Sequence, residues 1–176
     1  MIKALITTVP FAERNKLPIE LLENSNIDYT VNPLNRKLSE NELFKMISNY
    51  EVLIAGTETI TSKVLENATN LKLISRVGIG VDSIDLNAAK KNNILLTYTP
   101  DAPAPAVAEL TFGLMFSLLR SIHVSNTLMH KGHWKRIFGR RIPEITIGII
   151  GAGRIGSRVI RRLTPFGTPR ILVNDI

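Results

Sequence analysis

The chain reads as an α/β protein built on parallel β-sheet, and three features of its sequence say so. Over residues 1–100, apolar strand-like runs alternate with helix-like segments, the pattern of a parallel sheet whose crossovers are helices. Pro100, Pro103 and Pro105 then punctuate the chain, which predicts a boundary between two units. After a long apolar helix, the β-branched run at residues 145–150 leads directly into Gly151-Ala152-Gly153-Arg154-Ile155-Gly156. That is a strand, a glycine turn and a helix start in succession.

In the first hundred residues, strands are predicted at 3–7, 29–32, 52–55, 71–75 and 94–98. Each is a short apolar run of the kind a parallel sheet buries on both faces. Helices are predicted at 18–23, 39–48, 61–66 and 84–91. Pro18 sits where a first helical turn tolerates the missing N–H, and Ser39 with Glu42 three positions later forms a capping box. Five strands in this order make a flavodoxin-like domain over residues 1–100, with its ligand crevice at the strand carboxyl ends.

The segment Asp101-Ala102-Pro103-Ala104-Pro105 is the expected boundary. A single helix is predicted from 106 to 131. Leu110, Leu114, Leu118 and Ile122 recur along it at intervals of four, and much of its other face is also apolar, so burial between domains or subunits is expected.

The glycine segment has the setting that a bare G-x-G-x-x-G lacks. The preceding apolar run predicts a buried parallel strand. Gly151 makes the tight turn, Gly153 lets backbone approach a pyrophosphate, and Gly156 lets the helix pack closely on the strand. The helix, predicted over 154–166, carries Ile155, Val159, Ile160 and Leu163 on one face, and its N-terminus suits a phosphate anion. A second strand at 170–173 delivers Asp175 to its carboxyl end, about 20 residues beyond Gly156. A carboxylate there can accept hydrogen bonds from both hydroxyls of an adenosine ribose and repels a 2′-phosphate, so NAD is expected over NADP. The plainer alternative is a βαβ unit whose glycines serve packing alone. Residues 101–176 therefore read as the start of a Rossmann nucleotide-binding domain, incomplete after its second strand.

Composition narrows the field. A chain of 176 residues without cysteine has neither a disulfide framework nor a thiolate nucleophile, which fits a reducing cytoplasm. The first apolar run is too short for a signal peptide, and no stretch reaches membrane-span length. The net charge of +7 is concentrated late: residues 131–176 hold ten Lys and Arg against only Glu144 and Asp175. Lys131, Lys135, Arg136, Arg140 and Arg141 surround Trp134 and Phe138, a mixture that suggests nucleic acid. No nucleic-acid motif accompanies it, so a solvated connection or a subunit contact is preferred. His123, His130 and His133 offer neither metal-ligand spacing nor a carboxylate partner, and a structural or surface role is expected.

A second dense motif is Ser75-Arg76-Val77-Gly78-Ile79-Gly80-Val81-Asp82-Ser83-Ile84-Asp85-Leu86. Gly78 and Gly80 follow a buried strand, where backbone amides can face a small anion without side-chain obstruction. Together with Ala106-Val107-Ala108-Glu109-Leu110-Thr111 and the glycine turn at 151–156, this closely resembles the D-isomer-specific 2-hydroxyacid dehydrogenases, most of all the 3-phosphoglycerate dehydrogenase branch. The resemblance runs from about residue 50 to the end, with three motifs in order and at family separations.

The resemblance implies an NAD-dependent oxidoreductase acting on a D-2-hydroxy acid and its 2-oxo acid, dimeric through residues 106–141. It places Arg76 and the amides near Gly78, Ile79 and Gly80 beside the substrate, and Ile79 also near the nicotinamide. Arg76 becomes a candidate clamp for a carboxylate or phosphate, the alternative being a surface arginine. Gly151, Gly153, Arg154, Ile155 and Gly156 fall on the cofactor phosphates and Asp175 on the ribose. Two departures stand out. Phosphoglycerate-using relatives commonly carry Arg just after the third strand, where this chain has Gly56-Thr57-Glu58, and many members carry Asn where it has Pro103. The family's catalytic Arg, acid and His lie after the second Rossmann strand, so these 176 residues are expected to be the inactive N-terminal part of the enzyme. A short NAD- or anion-sensing module of the same fold is the alternative.

Overall fold

The computed structural model describes all residues from Met1 to Ile176, in two compact units, Met1–Pro100 and Asp101–Ile176.

The first unit holds β1 (Ile2–Ile6), α1 (Leu17–Asn24), β2 (Ile27–Val31), α2 (Glu40–Ile47), β3 (Val52–Ala55), α3 (Ser62–Asn67), β4 (Leu73–Arg76), α4 (Leu86–Lys91) and β5 (Leu95–Tyr98). The strands form one parallel sheet in the order β2-β1-β3-β4-β5, the flavodoxin-like arrangement. Leu53 pairs with Leu5 on one side and Ile74 on the other, and all three are completely buried. Leu43 and Ile47 of α2, Val64 and Leu65 of α3 and Ala88 and Ala89 of α4 close the same core.

Local chemistry sets the helix starts. Ser39 and Glu42 form the full reciprocal capping box, Thr61 accepts from the Val64 N–H and Asp85 from the Ala88 N–H. Asp85 corrects the predicted start of α4 at Ile84: Ile84 is held by a bridge to Ile60, and the helix begins only after the Asp85 cap. The β4 prediction likewise shifts from 71–75 to 73–76.

The second unit holds α5 (Ala104–Leu119), α6 (Ile122–His130), β6 (Thr146–Ile150), α7 (Gly156–Leu163) and β7 (Arg170–Asn174). β6 and β7 pair in parallel from Thr146↔Arg170 to Ile150↔Asn174. Ala108, Phe112, Val159 and Leu163 are the buried contribution of α5 and α7 to its core, with Ile147, Ile149 and Ile171 packed against them. Phe166 lies in a short 3-10 turn after α7 and stacks on Phe112 with ring centroids 5.8 Å apart.

Three expectations change here. The predicted single helix 106–131 is two helices meeting at 63°, broken at Ser121 in the left-handed region with φ 50°. The four-residue apolar period runs across this break, so periodicity alone does not reveal it. The returning chain supplies a reason, since the Arg140 N–H donates to the Leu119 carbonyl at 3.1 Å and satisfies one of the carbonyls that a helix end leaves open. The helix also begins earlier than predicted, with Pro103 as N-cap and Pro105 in its first turn. Third, β6 is not buried on both faces: Thr146, Gly148 and Ile150 are exposed, because only one face of this two-stranded sheet meets α5 and α7. Leu110, Leu114 and Leu118 are 61%, 58% and 73% exposed in the single chain, so burial of this face, expected between domains or subunits, is not supplied by the chain's own residues.

Candidate functional site

The glycine turn of the second unit has the geometry its three glycines demand. Gly151 sits at φ 88°, a conformation that costs other residues energy, and its N–H donates to the Asn174 carbonyl at 2.8 Å. A Cβ on Gly156 would overlap the Gly151 carbonyl oxygen and lie 3.4 Å from Ile149 Cγ2, so the close approach of α7 to β6 requires glycine. A Cβ on Gly153 would meet nothing within 4 Å. Gly153 is therefore free of packing duty, and its bare backbone borders open space. The amides of Gly153, Arg154 and Ile155 donate to no protein acceptor, the ordinary state of a helix start. This cradle of unpaired N–H groups fits a phosphate.

Asp175 ends β7, and its Oδ2 accepts the Ala152 N–H at 2.8 Å while Oδ1 accepts the Ile176 N–H. The Ala152 bond first, and the Ile176 bond after it, hold its carboxyl below the ordinary value. The acid that sequence reading assigned to a ribose thus also ties the turn to the strand end, a contact for which the spacing gave no signal. It remains an anion with acceptor capacity, as the ribose role requires. Arg154 and Arg158 share Asp101, at 3.9 Å and 2.9 Å, so the Arg154 side chain lies beside an acid while its backbone faces the turn.

In the first unit, Arg76 is only 8% exposed, which removes the surface-arginine alternative. Its Nε donates to the Gly80 carbonyl at 3.0 Å and its Nη1 to the Val77 carbonyl. It therefore shapes the loop 77–80 from inside. Gly78 does not offer its amide to an anion as predicted, because its N–H donates to Thr99 Oγ1 at 2.9 Å. The amides of Ile79 and Gly80 have no protein acceptor and are the ones left to face a ligand.

Sequence reading noted Glu58 only as a departure from the family. The structure buries it to 1% exposure, with Oε1 accepting from Thr7 Oγ1 and from the Gly56 N–H at 3.1 Å. It lines a cavity of about 260 Å³ with Thr7, Thr8, Lys37, Gly56 and Thr57, at the carboxyl ends of β1 and β3. The strand order reverses between these two strands, the position at which open α/β sheets bind ligands. A lone Glu between two threonines gives no sequence signal for such burial. His123, His130 and His133 are all exposed, and His123 pairs with Ser117 at 3.1 Å. No group of three or more His, Asp or Glu side chains is placed to hold a metal ion.

Comparison with known proteins gives a consistent result. The profile of the D-isomer specific 2-hydroxyacid dehydrogenase catalytic domain matches residues 9–171. The D-3-phosphoglycerate dehydrogenase of Methanocaldococcus jannaschii is 41% identical over 133 residues, covering 74% of this chain and 25% of that protein. The hydroxypyruvate reductase of Thermotoga maritima is 40% identical over 133 residues, covering 74% of this chain and 44% of that protein. Among solved structures, the NAD+-bound 3-phosphoglycerate dehydrogenase of Entamoeba histolytica superposes with a TM-score of 0.80 at 27% identity, over 99% of this chain and 54% of that one. The chain thus spans less than half the length of these two curated relatives.

Proposed function

Since the chain belongs to the D-isomer specific 2-hydroxyacid dehydrogenase family, we propose that it supplies the substrate-facing sheet and the phosphate-binding corner of an NAD-dependent enzyme interconverting a D-2-hydroxy acid and its 2-oxo acid. The observation that carries this reading is the corner itself: Gly156 packed against the Gly151 carbonyl, open space at Gly153, unpaired amides at Gly153, Arg154 and Ile155, and the Asp175 carboxylate at the strand end. Those amides would hold the pyrophosphate and Asp175 the adenosine ribose. NAD, when bound, exchanges a hydride with substrate C2. The Ile79 and Gly80 amides would receive the substrate carboxylate, with Arg76 fixing their loop from beneath.

By the family resemblance the catalytic Arg, acid and His would lie beyond the second Rossmann strand, so residues 1–176 taken alone are proposed to bind without turnover. The exposed Leu110, Leu114, Leu118, Trp134 and Phe138 favour a homodimer through 106–141, since an apolar surface of this extent marks an association site. The experiment is a spectrophotometric assay of the protein at its natural length with D- and L-2-hydroxy acids and with NAD or NADP. The expected result is D-specific reduction of NAD, with Asp175→Ala narrowing the preference over NADP. Absence of NAD-linked turnover on any D-2-hydroxy acid would overturn the reading. Sedimentation of the wild-type protein beside Leu114→Asp tests the dimer.

A further inference from the structure

Loop 77–80 is held from two directions. On one side, Arg76 Nε donates to the Gly80 carbonyl at 3.0 Å and Nη1 to the Val77 carbonyl. On the other, Thr99 engages both polar groups of Gly78: its Oγ1 accepts the Gly78 N–H at 2.9 Å, and its own N–H donates to the Gly78 carbonyl at 3.0 Å. The Gly78 N–H also reaches the Arg76 carbonyl at 3.1 Å. Gly78 stands at φ 143°, where glycine alone is at ease, and a Cβ there would come within 2.6 Å of Arg76 Nη1. With these groups engaged, the Ile79 and Gly80 N–H groups keep no protein acceptor.

The sequence prepares Thr99 for this contact. β4 and β5 pair as far as Arg76↔Tyr98, and Thr99 is the next residue. Pro100 follows it and disfavours helical backbone at Thr99, while the branched Cβ restricts χ1. The hydroxyl therefore meets Gly78 with little torsional freedom to lose. Any residue except proline would supply the N–H of position 99, so only the Oγ1 bond depends on the side chain. Without it, the Gly78 N–H keeps no acceptor outside its own turn.

Resting on the dehydrogenase reading above, we propose that Thr99 is a positioning residue: by holding Gly78, its hydroxyl aims the neighbouring Ile79 and Gly80 amides at the substrate carboxylate. Thr99 acts through Gly78 and not on the substrate. Hydrogen bonds to a carboxylate are strong only when well directed, so a loosened turn weakens both. The carboxylate is held alike before and during hydride transfer, which puts the effect on KM and not on kcat.

The test measures NADH-linked reduction of glyoxylate, pyruvate and hydroxypyruvate by the protein at its natural length, beside Thr99→Val and Thr99→Ser. Valine keeps the shape and removes the acceptor, and serine keeps the acceptor. Thr99→Val is expected to raise KM for the 2-oxo acid about tenfold with kcat within about twofold, and to leave the calorimetric affinity for NAD unchanged. Thr99→Ser should restore most of the loss. Hydrogen exchange of amides 77–80 should quicken in Thr99→Val alone, with β3 unaltered, a readout that needs no turnover. An unchanged KM in Thr99→Val overturns the proposal and leaves the dehydrogenase reading intact. So does a serine variant as impaired as the valine one, or a parallel loss of kcat, KM and NAD affinity, since either marks a packing role. A wild-type protein that reduces none of the three acids would instead sink the dehydrogenase reading, and this proposal with it.

Discussion

β3 of the first unit and β6 of the second are both short apolar parallel strands leading into glycine, yet they end in opposite environments. Leu53 in β3 has a strand on each side and helices packed on its core, and is completely buried. Ile150, the last residue of β6, is 91% exposed, with one strand neighbour and one covered face. A strand's own residues set its conformation and which side chains point together. The number of neighbours sets how much free energy those side chains gain, since burial stabilises by about 25 cal/mol per Å² of apolar surface removed from water. The first unit accordingly holds most of the buried apolar residues, and the second holds the more exposed strands.

The sharpest way to break this comparison is a matched pair of truncations. Leu53→Ala should cost the first unit about 2–5 kcal/mol, whereas Ile150→Ala should change stability by no more than about 0.5 kcal/mol. Denaturant unfolding followed by circular dichroism measures both, and similar losses would refute the asymmetry.

A smaller effect separates two glycines within one turn. Gly156→Ala drives a Cβ into the Gly151 carbonyl and should cost about 1–3 kcal/mol, with slowed-exchange amides of β3 left unchanged. Gly153→Ala meets open space, so the unit should keep its fold while losing affinity for NAD. Hydrogen exchange and calorimetric titration of both variants decide this, and a destabilised Gly153→Ala would mean the turn has no room for a ligand.

Ser39→Ala removes half of the capping box and should cost about 1 kcal/mol, confined to the first unit. Thermal unfolding checks the loss, and exchange rates in α2 its location.

The gentlest probe is pH, applied to one carboxylate in each unit. Glu42 is lowered from the ordinary 4.5 to about 2, chiefly by Arg36 and then by the Ser39 N–H. Asp175 is lowered first by the Ala152 N–H. Both folded values lie below the unfolded ones, so each contribution is complete above the ordinary carboxylate range and is lost as pH falls through the folded value. Carboxyl-carbon NMR titration should show both groups ionising at lower pH than in the unfolded chain. An ordinary value for Asp175 would mean that the turn and strand end are not tied together.

Legibility from sequence followed the range of the interaction. The alternation of strands and helices, the Ser39–Glu42 cap and the Gly151–Gly156 turn all depend on residues a few positions apart, and all are present in the structure. The break at Ser121 was invisible because the apolar period continues through it while the partner of Leu119, Arg140, lies far along the chain. The Gly78 amide was misassigned for the same reason, since its acceptor Thr99 belongs to the end of the neighbouring strand.

The sequence by itself therefore determined the α/β class, the order of elements, the family, and the positions of the glycine turn and its acid, because local geometry and spacing encode these. Only the tertiary structure decided that Arg76 is enclosed by its own loop, that Asp175 holds the turn amide, and that Glu58 is buried against the Thr7 hydroxyl and the Gly56 amide. Each of those outcomes depends on which distant backbone groups reach a side chain, and on how much water the packing of other elements removes around it.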